Sequence, residues 1–160
     1  MIRPMKITAI DSVVLALPCT PPMSLEFPEH RMVAVTISTD EGVSGLGYTL
    51  AFAGGGAESI QVYLETRLKP LLLGEDPAFV ERLWERMYRA DRGIKRQGVA
   101  AYGIAALDIG LWDIAGKVAG QPLYKLWGAY TDRAEAYGSG GWGKDRVEEV
   151  IAEAQKYEER

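Results

Sequence analysis

A chain of 160 residues with 48% hydrophobic content can bury a real core, as one domain or as one domain with part of another. A formal charge of −4 without any basic cluster argues against nucleic acid as a partner. Cys19 is the single cysteine, which excludes an intrachain disulfide and suits a reducing cytoplasm.

The apolar run from Val13 to Leu17, ahead of Pro18 and Cys19, reads as a strand rather than a secretion signal. It is too short, Asp11 and Ser12 interrupt it, and Pro18 stands where cleavage needs a small residue. No stretch approaches the roughly 20 apolar residues of a membrane helix.

In chain order, residues 6–18 alternate and are rich in valine and leucine, which predicts a strand. Residues 31–39 make a second, with Val33, Val35 and Ile37 on one face. Asp40, Glu41 and Gly42 form a tight turn into a third strand over 43–50, so this pair is a hairpin. Between the first two strands, residues 20–30 combine prolines and glutamates with Met23, Leu25 and Phe27, the composition of a lid.

Helical patterns follow over 57–68, 77–90 and 99–119. Glu81, Arg82, Glu85, Arg86 and Arg89 give the middle helix a solvated outer face. In the longest helix, Ile104, Leu107, Leu111, Ile114 and Val118 repeat as one apolar stripe. Gly103, Ala106 and Gly110 fall on a neighbouring face. Each glycine costs about 1 kcal/mol against alanine, so such a helix packs tightly on another backbone. Asp113 and Lys117, four apart, are placed for an ion pair worth a few tenths of a kcal/mol.

After a glycine stop, Pro122 opens a short turn that closes at Gly128. Residues 133–137 then read as a short strand, 138–143 as a loop and 145–160 as a helix. Val147, Val150, Ile151, Ala154 and Tyr157 form the expected buried stripe of that helix. Three antiparallel strands followed by a helical bundle make an α+β arrangement.

The residues that carry chemistry are few. His30 is the only histidine, which excludes a catalytic triad or a two-histidine metal site within the chain. Asp40, Glu41, Asp108 and Asp113 have structural explanations, no carboxylates cluster at metal-site spacing, and Cys19 has no base nearby in sequence. Residues 138–143 match G-x-G-x-x-G between a predicted strand and helix, the context of a dinucleotide fingerprint. Against that, the preceding strand is short and carries Glu135, where a central parallel strand is apolar.

The segment 103–128 is the most distinctive in the chain. Ala105, Ala106, Leu107, Asp108, Leu111, Asp113, Gly116, Lys117, Pro122, Leu123, Leu126 and Gly128 stand at the spacing of a known signature. It resembles that of the mandelate racemase and muconate lactonizing enzyme group of the enolase superfamily. Gly103, Gly110 and Trp127 depart from it as packing variation.

The resemblance implies residues 1–128 as a capping, substrate-specificity domain and 129–160 as the first β/α unit of a TIM-type barrel, which needs eight units. It also implies Mg²⁺-dependent removal of the proton next to a carboxylate, as in a racemase or an acid-sugar dehydratase. The paired lysines and acidic metal ligands of that chemistry lie on later barrel strands, so the chain carries no catalytic residue or metal ligand of its own and is expected to be inactive alone.

By position, the two lid loops of the family fall at residues 20–30 and 50–56. Met23, Phe27, Leu50 and Phe52 are then the side chains that wall the site, and Ser139, in the first barrel loop, is placed to donate to a substrate carboxylate. The implied partners are a small carboxylate or hydroxy acid, the rest of the barrel, and further copies in a cytoplasmic homo-oligomer, with no nucleic acid and no membrane. A muconate-type cycloisomerase, a stand-alone binding module with the capping fold, and a dinucleotide-binding fragment remain the alternatives.

Overall fold

The computed structural model describes residues 4–18, 29–51, 55–90, 97–137, 140–141 and 146–158. Three strands, β1 (Ile7–Pro18), β2 (Glu29–Thr39) and β3 (Ser44–Ala51), form one antiparallel sheet in the order β1-β2-β3. The β2–β3 hairpin closes as expected: Gly42 N–H donates to the Thr39 carbonyl at 3.3 Å, and the Thr39 hydroxyl to the Val43 carbonyl at 2.7 Å.

Helix α1 (Ala57–Tyr63) runs through a π turn (Leu64–Leu68) into α2 (Lys69–Leu72), longer than the pattern predicted. Pro70 has no N–H to give the carbonyl four residues back, and the wider turn accommodates its ring. The run is tied to β1 by a small polar network. Gln61 donates to the Ser12 carbonyl at 3.0 Å, the Ser12 hydroxyl to Glu65 at 2.6 Å, and Lys69 to Glu65 at 2.8 Å.

Helix α3 (Val80–Ala90) begins later than expected, because Asp76 organises a turn first: its carboxylate accepts the Ala78 N–H at 2.9 Å. Its charged face is solvated and paired, with Arg82 and Arg86 on Glu75 and Arg89 on Glu85.

Helix α4 (Val99–Ala119) has the predicted boundaries. It ends at Gly120, whose φ of +62° turns the chain and lets Gln121 N–H reach the Gly116 carbonyl at 3.1 Å. It contains an 18-residue stretch with a mean hydropathy of 1.3, so by length and composition alone it reaches the apolarity of a membrane span, contrary to the sequence reading, although half of that stretch is buried in the fold. Its partner is the sheet: Ile104, Ala106, Leu107, Leu111 and Ile114 are buried against β2, β3 and α1.

Ala106 and Gly110 have the predicted role, whereas Gly103 faces side chains rather than another backbone. Gly45 and Gly47 on β3 lie directly on Ala106 and Gly110, so strand and helix meet backbone to backbone. Gly103 lies against Leu68 and Tyr63, and Trp127 packs edge-on to Trp112 at 5.2 Å, so all three departures from the signature are packing. Val118 does not join the buried stripe: it is 59% exposed. Lys117 already reaches Ser44, the first residue of β3, so the last turn runs past the sheet.

Helix α5 (Leu123–Leu126) follows Pro122. Residues 133–137 form no strand, which corrects the sequence reading. A barrel strand exists only through its ladder, and no described strand lies beside this one. Helix α6 (Val147–Glu158) forms, but its stripe is exposed, with Val147 at 69% and Ile151 at 52%. One helix without a sheet under it has nothing to bury that stripe.

Candidate functional site

Strand register brings the described residues that flank the two proposed lids to one end of the sheet. Pro18 pairs with Glu29 and Arg31 with Ala51, so β1 ends, β2 begins and β3 ends at the same end of the sheet. Helix α1 begins at Ala57, a few residues beyond Ala51 in the chain. Arg31 joins β2 to α1: its guanidinium donates to Glu29 at 3.1 Å and to Glu58, in the first turn of α1, at 2.8 Å. Leu50 sits at this end, beside Met32 on the outward face of the sheet, 38% exposed. Met23, Phe27, Phe52 and Ser139 lie outside the described residues.

An open groove of about 660 Å³ runs between α1 and the start of α4, lined by Glu58, Val62, Tyr63 and Gln97 among others. Its carboxylate, Glu58, is engaged by Arg31, and no convergent acid–base pair faces it. Among the described residues no group of three histidine, cysteine or acidic side chains is placed to hold a metal ion. The described part of the chain therefore does not fit a Mg²⁺ site.

At Gly141, one of the two described residues of the glycine loop, the backbone N–H is taken by the chain's own acid. Gly141 N–H donates to Glu153 of α6 at 2.9 Å, where a phosphate-binding loop would offer that N–H to its ligand. The hollow there is about 190 Å³ and lined by Glu153 and Tyr157, below the range of small-molecule sites. This arrangement argues against the dinucleotide reading.

The two acids of α4 are shifted in opposite directions. Asp113 accepts the Leu46 N–H at 2.8 Å and Lys117 Nζ at 2.7 Å, while Lys117 also donates to the Ser44 carbonyl at 2.8 Å. The pair thus does more than staple one helix: it satisfies the free edge of β3. Burial raises the Asp113 pKa, but the Lys117 hydrogen bond, the Leu46 N–H and the Lys117 charge outweigh it and hold it below its ordinary value of 3.8. Asp108 goes the other way: burial and then the charge of Glu81 push it above 3.8.

The stabilisation by ionised Asp113 is whole above pH 3.8 and is lost as pH falls through the lowered folded value. Asp113→Ala is therefore expected to cost about 1–2 kcal/mol at pH 7, mostly for the orphaned Leu46 N–H because the exposed ion pair is screened. In urea melts the gap to the parent narrows as pH falls through that lowered value, because a protonated carboxyl still accepts the Leu46 N–H but no longer attracts Lys117; a gap independent of pH would contradict the assignment.

Residues 9–128 match the family described as Mandelate racemase / muconate lactonizing enzyme, N-terminal domain. The chain is 43% identical over 120 residues to arabinonate dehydratase of Saccharolobus solfataricus, covering 74% of this chain and 32% of that protein. In structure it resembles a racemase from Streptomyces coelicolor A3(2) with bound magnesium, with a TM-score of 0.89 at 27% identity over 96% of this chain and 44% of that one. It is similarly close to L-talarate dehydratase from Polaromonas sp. JS666 complexed with Mg and L-glucarate, with a TM-score of 0.88 at 28% identity over 98% of this chain and 44% of that one. The chain spans about a third of the length of the curated relatives it matches. The sheet, its close-packed helix and the sequence match together show that this chain belongs to the mandelate racemase / muconate lactonizing enzyme family, as its capping domain.

Proposed function

We propose that this chain is the substrate-selecting part of a cytoplasmic, Mg²⁺-dependent acid-sugar dehydratase, with residues 1–128 as the cap and 129–160 as the first β/α unit of the barrel. The observation that supports the reading is the register that brings Pro18, Glu29 and Ala51, the described residues that flank the two loops, to one sheet end, with Arg31 bonded to Glu29 and to Glu58 there. Dehydration is favoured over racemisation and cycloisomerisation because the matched relative acts as a dehydratase of a sugar acid.

In this reading Met23, Phe27, Leu50 and Phe52 close over the reacting carbon and exclude water, and Ser139 donates to the substrate carboxylate. Metal ligands and the proton-abstracting base are supplied by further polypeptide. The apolar stripe of α6 supports this, since a neighbouring β/α unit is what such a stripe packs against.

Residues 1–128 joined to the barrel of arabinonate dehydratase are expected to dehydrate sugar acids with Mg²⁺, and residues 1–160 alone to show no turnover. Activity is followed by 2-keto acid release. Turnover by residues 1–160 alone, or a folded chimera inert on every sugar acid, would overturn the proposal.

A further inference from the structure

The core-facing side of β2 runs through Ile37, Val35 and Val33, all buried, and then changes character. With the two-residue period of a strand, Arg31 and Glu29 continue that same side toward the start of β2, both half-buried. The cross-strand neighbours of Arg31 are small, Ala16 on β1 and Ala51 on β3. They leave its guanidinium room to reach α1. Nη1 donates to Glu58 at 2.8 Å and Nε to Glu29 at 3.1 Å.

We infer that Arg31 is a positioning residue: it fixes the first turn of α1 against the start of β2, so that the chain ends flanking the two loops keep their spacing. Its catalytic consequence rests on the proposed substrate-selecting reading.

Local chemistry leaves that turn undetermined. Helix α1 begins after Gly56, at a φ of +84°, and no side chain caps its N-terminus. A Cβ at Gly55 or Gly56 would meet nothing within 4 Å, so no packing restrains the backbone there. Ala57 and Ile60 anchor the turn in the core, but apolar contact is non-directional and lets the helix swivel about its anchor. A planar guanidinium supplies the direction, because its donors stand at fixed angles and meet carboxylates on two different elements.

Stability is not what the bridge supplies. Glu58 is 63% exposed at its side chain, and pairs so open to water contribute little to folding. The effect falls on geometry at the sheet end that Pro18, Glu29 and Ala51 share. Metal and base are proposed to lie on further polypeptide, so lost spacing weakens substrate capture and leaves the chemical step as it is.

In the chimera with the arabinonate dehydratase barrel, Arg31→Met and Glu58→Ala are each expected to raise KM for the sugar acid about three- to tenfold, with kcat within about twofold. The double variant should raise it no further than either single one, since both remove one bridge. Arg31→Lys, without the planar fork, should not restore it. Arg89→Met, which removes an exposed pair with Glu85 on α3, should leave KM unchanged.

The 160-residue chain reads the same bridge without catalysis. The Ile60 amide closes the first turn of α1 on the Gly56 carbonyl at 3.0 Å, and its hydrogen exchange should accelerate several-fold in Arg31→Met at an unchanged urea midpoint. Should Arg31→Met misfold, Glu58→Ala, at an exposed helix position, decides both measurements. An active chimera whose KM ignores both substitutions, additive effects in the double variant, or an unchanged Ile60 amide overturns the inference. A chimera inert on every sugar acid sinks the dehydratase reading alone, and the Ile60 amide then decides the bridge.

Discussion

Gly47→Ala is expected to destabilise the fold by about 3 kcal/mol or more, a large fraction of the 5–15 kcal/mol that holds an ordinary domain. A Cβ at Gly47 would overlap the Ala106 carbonyl oxygen and come within 2.7 Å of the Gly110 nitrogen. Both are backbone atoms of α4, so no rotamer change relieves the clash and the helix must lift from the sheet. Lifting it opens the contact that buries Ile37, Leu107 and Leu111 together. Gly55→Ala is the control: its Cβ meets nothing within 4 Å, and its effect should stay within about 0.5 kcal/mol. Equal urea midpoints for the two variants would refute the close-packing account.

Leu107→Ala is expected to cost about 2–5 kcal/mol, the transfer term plus the cavity left behind. Leu107 is fully buried in the middle of α4, with sheet on one side and helices on the other. Val118→Ala, eleven positions on in the same sequence stripe, should cost under about 0.5 kcal/mol because its side chain is largely in water. Thermal melts of the two variants check this directly. Comparable losses would mean that the last turn of α4 is covered after all.

Local pattern was readable wherever local chemistry dominates. Alternation placed the strands to within two residues, because each inward side chain of β2 and β3 faces the same core. The 3.6-residue period and the glycine stop placed α4 to the residue. The small residues Ala106 and Gly110 announced a close backbone neighbour, although only the fold identified it as Gly45 and Gly47.

The failures about burial share one cause: pattern states that a side chain would be buried if something were there to bury it. Residues 133–137 and the stripe on α6 carry barrel-like patterns, but the described chain offers neither a ladder nor a sheet to receive them. Val118 continues the stripe of α4 beyond the end of β3. Composition marked residues 20–30 as a lid, but the assignment of Met23, Phe27, Leu50 and Phe52 to the site came only from resemblance, since a hydrophobic residue in a loop has no period to be read from.

By itself the sequence determined the α+β class, the hairpin, the long core helix and the family, because periodicity, turn chemistry and a dense signature are short-range properties of the chain. Only the tertiary structure decided that Asp113 and Lys117 close the edge of β3, that Arg31 joins the start of β2 to α1, and that one apolar sheet face is left uncovered. Those outcomes depend on which distant segments come into register, and hydrogen bonds between residues some 70 positions apart, such as that from Leu46 to Asp113, leave no periodic trace along the chain.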